Sequence, residues 1–267
     1  MTASSLRLAF LGLIASASLA TSTQAATLTL NPTADTYLRG GSSDQSWGGA
    51  TELLISNHAT VGPFTGLFRF DLSSLPTSGI SIDSVTLTLK SNANGSGTSV
   101  TMNVYQLASA NADWIEGALN GVNSGTEGSA AWNNKANFTS GPNAALDTPW
   151  AGSVGARTAG TDYTNTLLAS YTGDASTAGT SNLVFTSQAS ISSTVLSSAG
   201  GNLNLWIGQP TVVAISEFFR ITSKEGNATA TSLVINYSAI PEPSTYAALA
   251  GLGVLGLAAT RRRSRRV

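Results

Sequence analysis

Five tryptophans punctuate a chain in which only 7% of residues are aromatic. Four sit among turn-forming and polar neighbours: Trp47 in Gln45-Ser46-Trp47-Gly48-Gly49, Trp114 in Asp113-Trp114-Ile115-Glu116-Gly117, Trp132 in Ala131-Trp132-Asn133-Asn134, and Trp150 in Thr148-Pro149-Trp150-Ala151-Gly152. A sugar ring carries apolar C–H faces between its hydroxyls, so a flat aromatic flanked by Asn, Asp, Glu or Arg is a platform matched to it. The competing use is structural: an indole covers the end of a sheet and fills core, which is where tryptophan is found on average. Trp206, inside an alternating run, reads as core. Arg39, Arg69 and Arg220 can hold acidic-sugar carboxylates through paired N–H donors. They can equally pair with Asp35, Asp71 and Glu225 inside the domain, which is the expectation for Arg69 and Arg220. With Tyr37, the candidate binding residues are Tyr37, Arg39, Trp47, Trp114, Trp132 and Trp150.

Other chemistry is thinly supplied. There is one histidine, His58, and no cysteine, so a zinc site, a thiol nucleophile, a disulfide framework and a His-based triad all lack parts. Asp35, Asp71, Asp83 and Asp113 stand at strand edges or turns, where Asp side chains bond the local backbone. A hard cation such as Ca²⁺ uses oxygens from such positions with backbone carbonyls. The dense Asp-x-Asp-x-Asp loop that would locate a calcium is absent, so the sequence places no metal and implies no other cofactor.

These residues must be positioned by β-structure. Short alternating runs bounded by Gly, Asn, Ser and Pro recur at Thr27–Leu30, Leu53–Ile55, Leu67–Phe70, Val85–Leu89, Val100–Leu107, Leu183–Phe185, Leu203–Ile207, Phe218–Thr222 and Leu233–Tyr237. About nine antiparallel strands with Gly-rich connections predict an all-β fold, a jelly-roll β-sandwich, with a barrel as the alternative. Residues 92–99 read as a loose hairpin turn, and 165–171 and 190–198 as short helices. The segment 117–160 reads as mostly loop, and a loop that long is where function is expected.

Charged residues make up only 10% of the chain, and their balance is uneven. Between Ala26 and Ile240 stand seven basic residues against thirteen acidic ones, a net of −6. Such a surface disfavours nucleic acid, whose phosphates need clustered Lys and Arg.

The two ends differ from the middle. Arg7, the apolar run from Leu8 and the small residues leading to Ala25 and Ala26 form the pattern of a secretory signal peptide, with cleavage expected near Ala25 or Ala26. That assigns 1–25 to a signal helix handled by the Sec translocon and signal peptidase, 26–239 to the β domain and 240–267 to a C-terminal segment. In the last, Pro241, Glu242 and Pro243 precede an apolar stretch over 246–259 and the cluster Arg261, Arg262, Arg263, Arg265 and Arg266. Fourteen apolar or small residues are short of the roughly 20 that span a bilayer comfortably. A hydrophobic helix with transient membrane association is expected there, its arginines on the cytoplasmic side.

That order of Pro-Glu-Pro, short apolar helix and arginines resembles the PEP-CTERM sorting signal of Gram-negative bacteria. The resemblance implies processing by an exosortase-type membrane enzyme, a transient inner-membrane intermediate, and a destination that is secreted, at the cell surface or in an extracellular polysaccharide matrix. The domain between the ends resembles the DNRLRE-type domain, related to carbohydrate-binding module family 96. The resemblance is carried by Ala34-Asp35-Thr36-Tyr37-Leu38-Arg39, Trp47-Gly48, Phe68-Arg69-Phe70-Asp71-Leu72-Ser73-Ser74-Leu75-Pro76, Asp113-Trp114-Ile115-Glu116, Ala131-Trp132-Asn133, Ser223-Lys224-Glu225 and Leu233-Val234-Ile235-Asn236-Tyr237. It implies a non-catalytic jelly-roll module of bacterial surface proteins, with extracellular polysaccharide as partner. Two places depart from the pattern: Ala131 stands where the family has Thr before Trp, and Ile115 where it has Thr after Trp. Two rivals to sugar binding follow: a structural surface or biofilm protein that binds no sugar, and a lyase or hydrolase, for which no acid and base pair can be nominated.

Overall fold

The computed structural model describes residues 25–58, 60–93, 99–123, 128–138, 146–174, 181–209, 218–240, 251–256 and 261. Two units separate: the β domain Ala26–Tyr237, and the terminal segments Met1–Ala25 with Ser238–Val267. In the terminal unit, residues 251–256 are helical and exposed. The signal segment before Ala25, Pro241, Glu242, Pro243, Arg262, Arg263 and most of 246–259 lie outside the described residues. Among those described, no helix is long and apolar enough to cross a membrane.

The β domain pairs its strands antiparallel wherever the register is described, and a parallel bridge joins Ala159 to Tyr163. In chain order its strands are β1 (Ala25–Leu30), β2 (Ala34–Arg39), β3 (Gln45–Ser46), β4 (Glu52–His58), β5 (Gly62–Asp71), β6 (Ile80–Ala93), β7 (Ser99–Leu107) and β8 (Val122–Asn123). Then follow β9 (Asn134–Ala136), β10 (Thr148–Pro149), β11 (Tyr163–Asp174), β12 (Asn182–Val184), β13 (Thr186–Ser187), β14 (Asn202–Gly208), β15 (Phe219–Thr222) and β16 (Ser232–Ala239). Among the described residues of this domain one α-helix, α1 (Ser190–Ser197), stands where expected. Twelve strands join in the order β1-β16-β6-β15-β4-β5-β14-β7-β11-β13, with β12 on β6 and β2 on β5. β5 pairs with β4 through Gly62–Phe64 and with β14 from Gly66 to Asp71, so one strand carries the sheet around its corner.

The curl brings two layers face to face, which is the predicted β-sandwich. Their shared core draws Leu53 and Ile55 of β4, Leu87 and Leu89 of β6, and Leu233 and Ile235 of β16 from one side. From the other come Phe68 and Phe70 of β5, Met102 and Val104 of β7, and Leu203, Leu205 and Ile207 of β14. Residues two apart along each strand share this face, as the pleat requires.

Two sequence expectations are corrected. Residues 165–171 are not helical but lie within β11. β11 slips register against β7 between Tyr163 and Leu167 and again between Leu167 and Ala169, so Leu168 and Ala169 are buried in succession. A bulge of this kind breaks the period of two and mimics a helical pattern. Nor do β6 and β7 form a hairpin: β6 pairs with β12 and β15, while β7 pairs with β11 and β14 in the opposite layer.

The layer built from β2, β5, β14, β7 and β11 is covered on both faces. Its second face carries Ala34 and Leu38, Leu67, Leu107 and Trp206. Over these the long segment after β7 folds back, burying Trp114, Trp132, Trp150 and Ala156 against them.

Candidate functional site

β2 divides the candidate residues. Its positions alternate, so Ala34 and Leu38 join the outer cluster under the long segment while Asp35, Tyr37 and Arg39 share the other face. On that face Tyr37 is buried at 4% exposure, and Trp47 stacks on it with centroids 4.9 Å apart and planes at 28°. The Arg39 guanidinium lies 5.8 Å from the Trp47 ring and 5.7 Å from Phe64. Both contacts are of the cation–π kind.

Beside this stack opens a cleft of about 200 Å³ lined by Tyr37, Thr51, Glu52, Leu54, Asn120 and Arg220. Arg220 on β15 reaches across to Glu52 on β4, Nη1 to Oε2 at 3.0 Å, and Asn92 donates to the other oxygen of Glu52. Burial pushes the Tyr37 hydroxyl pKa up, and the nearby Arg39 and Arg220 charges pull it back in part. Among the described residues the Arg39 guanidinium has no hydrogen-bonded or acidic partner, and its Nε is buried. The cleft therefore offers the engaged Arg220 guanidinium, the Tyr37 wall and the amide of exposed Asn120, with the unengaged Arg39 guanidinium in the stack beside it. Such a set can bind a hydroxylated ring that carries an acidic group.

Tight backbone contacts hold Trp47 in place. A Cβ on Gly48 or Gly49 would come within 2.1 Å of the carbonyl oxygen of Glu116 or Ala118, so only glycine lets the Trp47 loop lie against that segment. Gly121, at φ +70°, faces the Trp47 ring so closely that a Cβ would come within 2.7 Å of Cη2.

The other four tryptophans are buried, Trp114 at 1%, Trp132 at 9%, Trp150 at 5% and Trp206 at 2%. Trp114 is held by Arg69, whose guanidinium lies 4.6 Å from its ring, and by a 3.0 Å hydrogen bond from its Nε1 to Asn204. Trp150 donates its Nε1 to the Ala131 carbonyl at 3.0 Å. Trp132 packs on Gly155, where φ is +74° and a Cβ would sit 2.4 Å from the ring. The structure thus groups Tyr37, Arg39 and Trp47, and sets Trp114, Trp132 and Trp150 apart in core.

The arginine pairings differ from those expected. Arg69 donates to Asn204 Oδ1 and to the carbonyls of Ala112 and Trp114 rather than to Asp71. Arg220 takes Glu52 rather than Glu225, because β15 lies beside β4 and the register sets Arg220 opposite Leu54, two residues from Glu52. Glu52, Asn92 and Asn120 were not singled out by sequence reasoning. An exposed arginine at the centre of an otherwise buried strand, Arg220, was the local signal that a cross-strand acid would be found.

The aspartates also divide. Asp71 accepts from the Ser73 N–H, the local turn expected of it. Asp113 pairs with Lys135 at 2.7 Å. Asp35 is wholly buried at 0% exposure, and its Oδ2 accepts from the Lys224 N–H at 2.8 Å. Burial, with Glu225 and Glu116 adding to it, pushes the Asp35 carboxyl up to about 8. His58 stacks on Phe218, and its Nδ1 accepts from the N–H groups of Thr60 and Val61, so it serves the turn after β4.

Residues 26–148 match carbohydrate-binding module family 96. That span contains Tyr37, Glu52 and Asn120 of the cleft and Arg39 and Trp47 of the stack beside it. The sheet to which the matched span contributes is completed by later strands, since β14 lies between β5 and β7. At the other end, residues 239–263 match the PEP-CTERM protein-sorting motif. A secreted or cell-surface destination follows from that signal. No curated protein matches the chain.

Proposed function

We propose that the chain is an exosortase-processed surface or matrix protein of a Gram-negative bacterium whose β-sandwich binds extracellular polysaccharide without catalysis. Export by the Sec translocon and signal peptidase, transient seating of 246–259 in the inner membrane and processing near Pro241-Glu242-Pro243 belong to the same reading. The sorting motif and the family match support it. The ligand site is the cleft lined by Tyr37, Glu52, Asn120 and Arg220 together with the adjoining stack of Trp47 and Arg39. One observation carries this assignment: Trp47 alone of the five tryptophans is only partly buried, and it lies beside a guanidinium that has no acidic partner among the described residues.

The chemistry favours polysaccharides with carboxylates, because an unengaged guanidinium binds an anion through paired N–H donors while the ring packs on sugar C–H groups. Affinity electrophoresis of the mature protein through gels containing acidic or neutral polysaccharides tests the reading. Retardation by an acidic polymer, lost in Trp47→Ala with folding retained, is the expected result. No retardation by any polymer would leave the module as a structural spacer, and release of reducing ends or unsaturated products would make it an enzyme.

A further inference from the structure

A second cluster lies on the same face of β2, two residues from Tyr37. Asp35, Glu116 from the segment after β7 and Glu225 from the segment after β15 each present one carboxylate oxygen within 4.8 Å of the others. Calcium–oxygen distances run about 2.3–2.6 Å, so two oxygens on opposite sides of one ion stand about 4.8 Å apart, and three such oxygens fit one coordination shell. The backbone holds the cluster: the Asp35 N–H donates to Glu116 Oε1 at 2.6 Å, and the Lys224 N–H donates to Asp35 Oδ2 at 2.8 Å.

A separate observation points to a missing ligand. Asp35 is fully buried, yet its Oδ1 has no hydrogen-bond partner among the described residues. A buried carboxylate oxygen left bare is costly, and a bound cation supplies the partner it lacks. Lys224 does not meet this need: its ammonium bonds Glu116 Oε2 at 3.0 Å and Glu225 Oε1, not Asp35 Oδ1. One ammonium against three carboxylates leaves room for two more positive charges, and its flexible stem lets it move aside.

We propose that Asp35, Glu116 and Glu225 bind a divalent cation, calcium by size, with Asp35 Oδ1 as the buried ligand and water completing the shell. The ion ties β2 to the two segments that carry Glu116 and Glu225. These adjoin Asn120 and Arg220 of the cleft, so it braces that wall.

The test uses the mature protein stripped with EDTA. Terbium luminescence, sensitised through Trp114 two residues from Glu116, is expected to titrate to one ion per chain and to be displaced by calcium. Excess calcium is expected to raise Tm by about 5 °C over EDTA. Glu225→Gln, at an exposed position, is expected to weaken calcium at least about tenfold with little change in the metal-free Tm. Lys224→Met is expected to tighten it by removing the competing ammonium. Absence of displaceable terbium emission and of any calcium-dependent Tm change in the wild type would overturn the proposal. Unchanged affinity in Glu225→Gln would overturn it equally, by placing the ion elsewhere.

Discussion

The Trp114 neighbourhood and the Trp47 neighbourhood use the same side chain for opposite ends. Around Trp114, nearly every polar atom is matched: Arg69 reaches Asn204 and two carbonyls, and the indole N–H of Trp114 reaches Asn204. Among the described residues the atoms left bare on that side belong to neutral groups: Trp206 Nε1, the Oγ1 of Thr36, which shares a β2 face with Ala34 and Leu38, and the Ser129 hydroxyl of the covering segment. On the other face of β2 charged groups are among the bare ones, with Arg39 Nε, Asp35 Oδ1 and Trp47 Nε1 all buried and unmatched among the described residues. Polar atoms withheld from water are satisfied in a folded core, so a concentration of unmatched ones marks a place built for something else to bind. On this reading the first, finished face contributes stability, and the second, unfinished face carries the proposed binding sites.

The largest expected effect falls on the finished face. Trp114→Ala removes a fully buried indole, the ring under Arg69 and the donor to Asn204, so a loss of about 3–5 kcal/mol is expected in urea unfolding. If sugar binding is measured under conditions where this variant remains folded, it should be unchanged. Loss of binding with little loss of stability would reverse the roles of the two faces.

Trp47→Ala inverts that result. Its ring is partly exposed and stacks chiefly on Tyr37, so the stability loss should stay under about 2 kcal/mol, the cost of an aromatic pair and partial burial. Polysaccharide affinity should fall about 30-fold, as for an aromatic anchor at the centre of a contact. Gly121→Ala sharpens this without touching a binding group. A Cβ there meets the Trp47 ring at 2.7 Å with φ at +70°, so it should displace the ring and cost affinity as well as stability.

Arg39→Ala should lower affinity for acidic polysaccharide by about three- to tenfold at low salt, and the difference should shrink as salt rises. Neutral polymers should be insensitive. Because its contacts among the described residues are cation–π contacts with Trp47 and Phe64 rather than an ion pair, its removal should lower Tm by only a few degrees, which isothermal calorimetry and thermal unfolding on one sample can check.

Most strands were legible because one sandwich face is greasy and the pattern shows it, as in Val85, Leu87 and Leu89 of β6. The double coverage of the second layer was legible too, in Leu67 beside Phe68 and in Trp206 between Leu205 and Ile207, where period two gives way to continuous apolar residues. That signal, followed through, would have sent the loop tryptophans to core, since something apolar must cover the second face. β2 hid for the same reason: Ala34–Leu38 is buried throughout, with Asp35 and Thr36 polar yet covered. The bulge in β11 hid a strand behind two adjacent buried residues. The partners of Arg220 and of Asp35 were beyond local reading, because Glu52 and Glu116 meet them only through sheet order and the returning segment.

A pH dependence confined to the unfinished face is also expected. In EDTA, the folded Asp35 carboxyl titrates at about 8, raised chiefly by burial, whereas in the unfolded chain it titrates near 3.9. The folded protein therefore holds a proton that the unfolded chain has already released. This contribution to stability is full below about pH 4 and is lost as pH rises toward 8. Asp71 and Asp113 have lowered values and act the other way, favouring the folded state above the unfolded carboxylate range and losing that contribution only in acid. Between about pH 5 and 8 the slope thus belongs mainly to Asp35, with Glu116, also raised by burial, adding the same sign near the lower end. Tm in EDTA should fall across that range for the wild type and stay nearly flat for Asp35→Asn. Trp114→Ala should lower the whole curve without changing its slope. A slope that followed Trp114 rather than Asp35 would mean that the two faces of β2 are coupled, and the division between a finished and an unfinished face would fail.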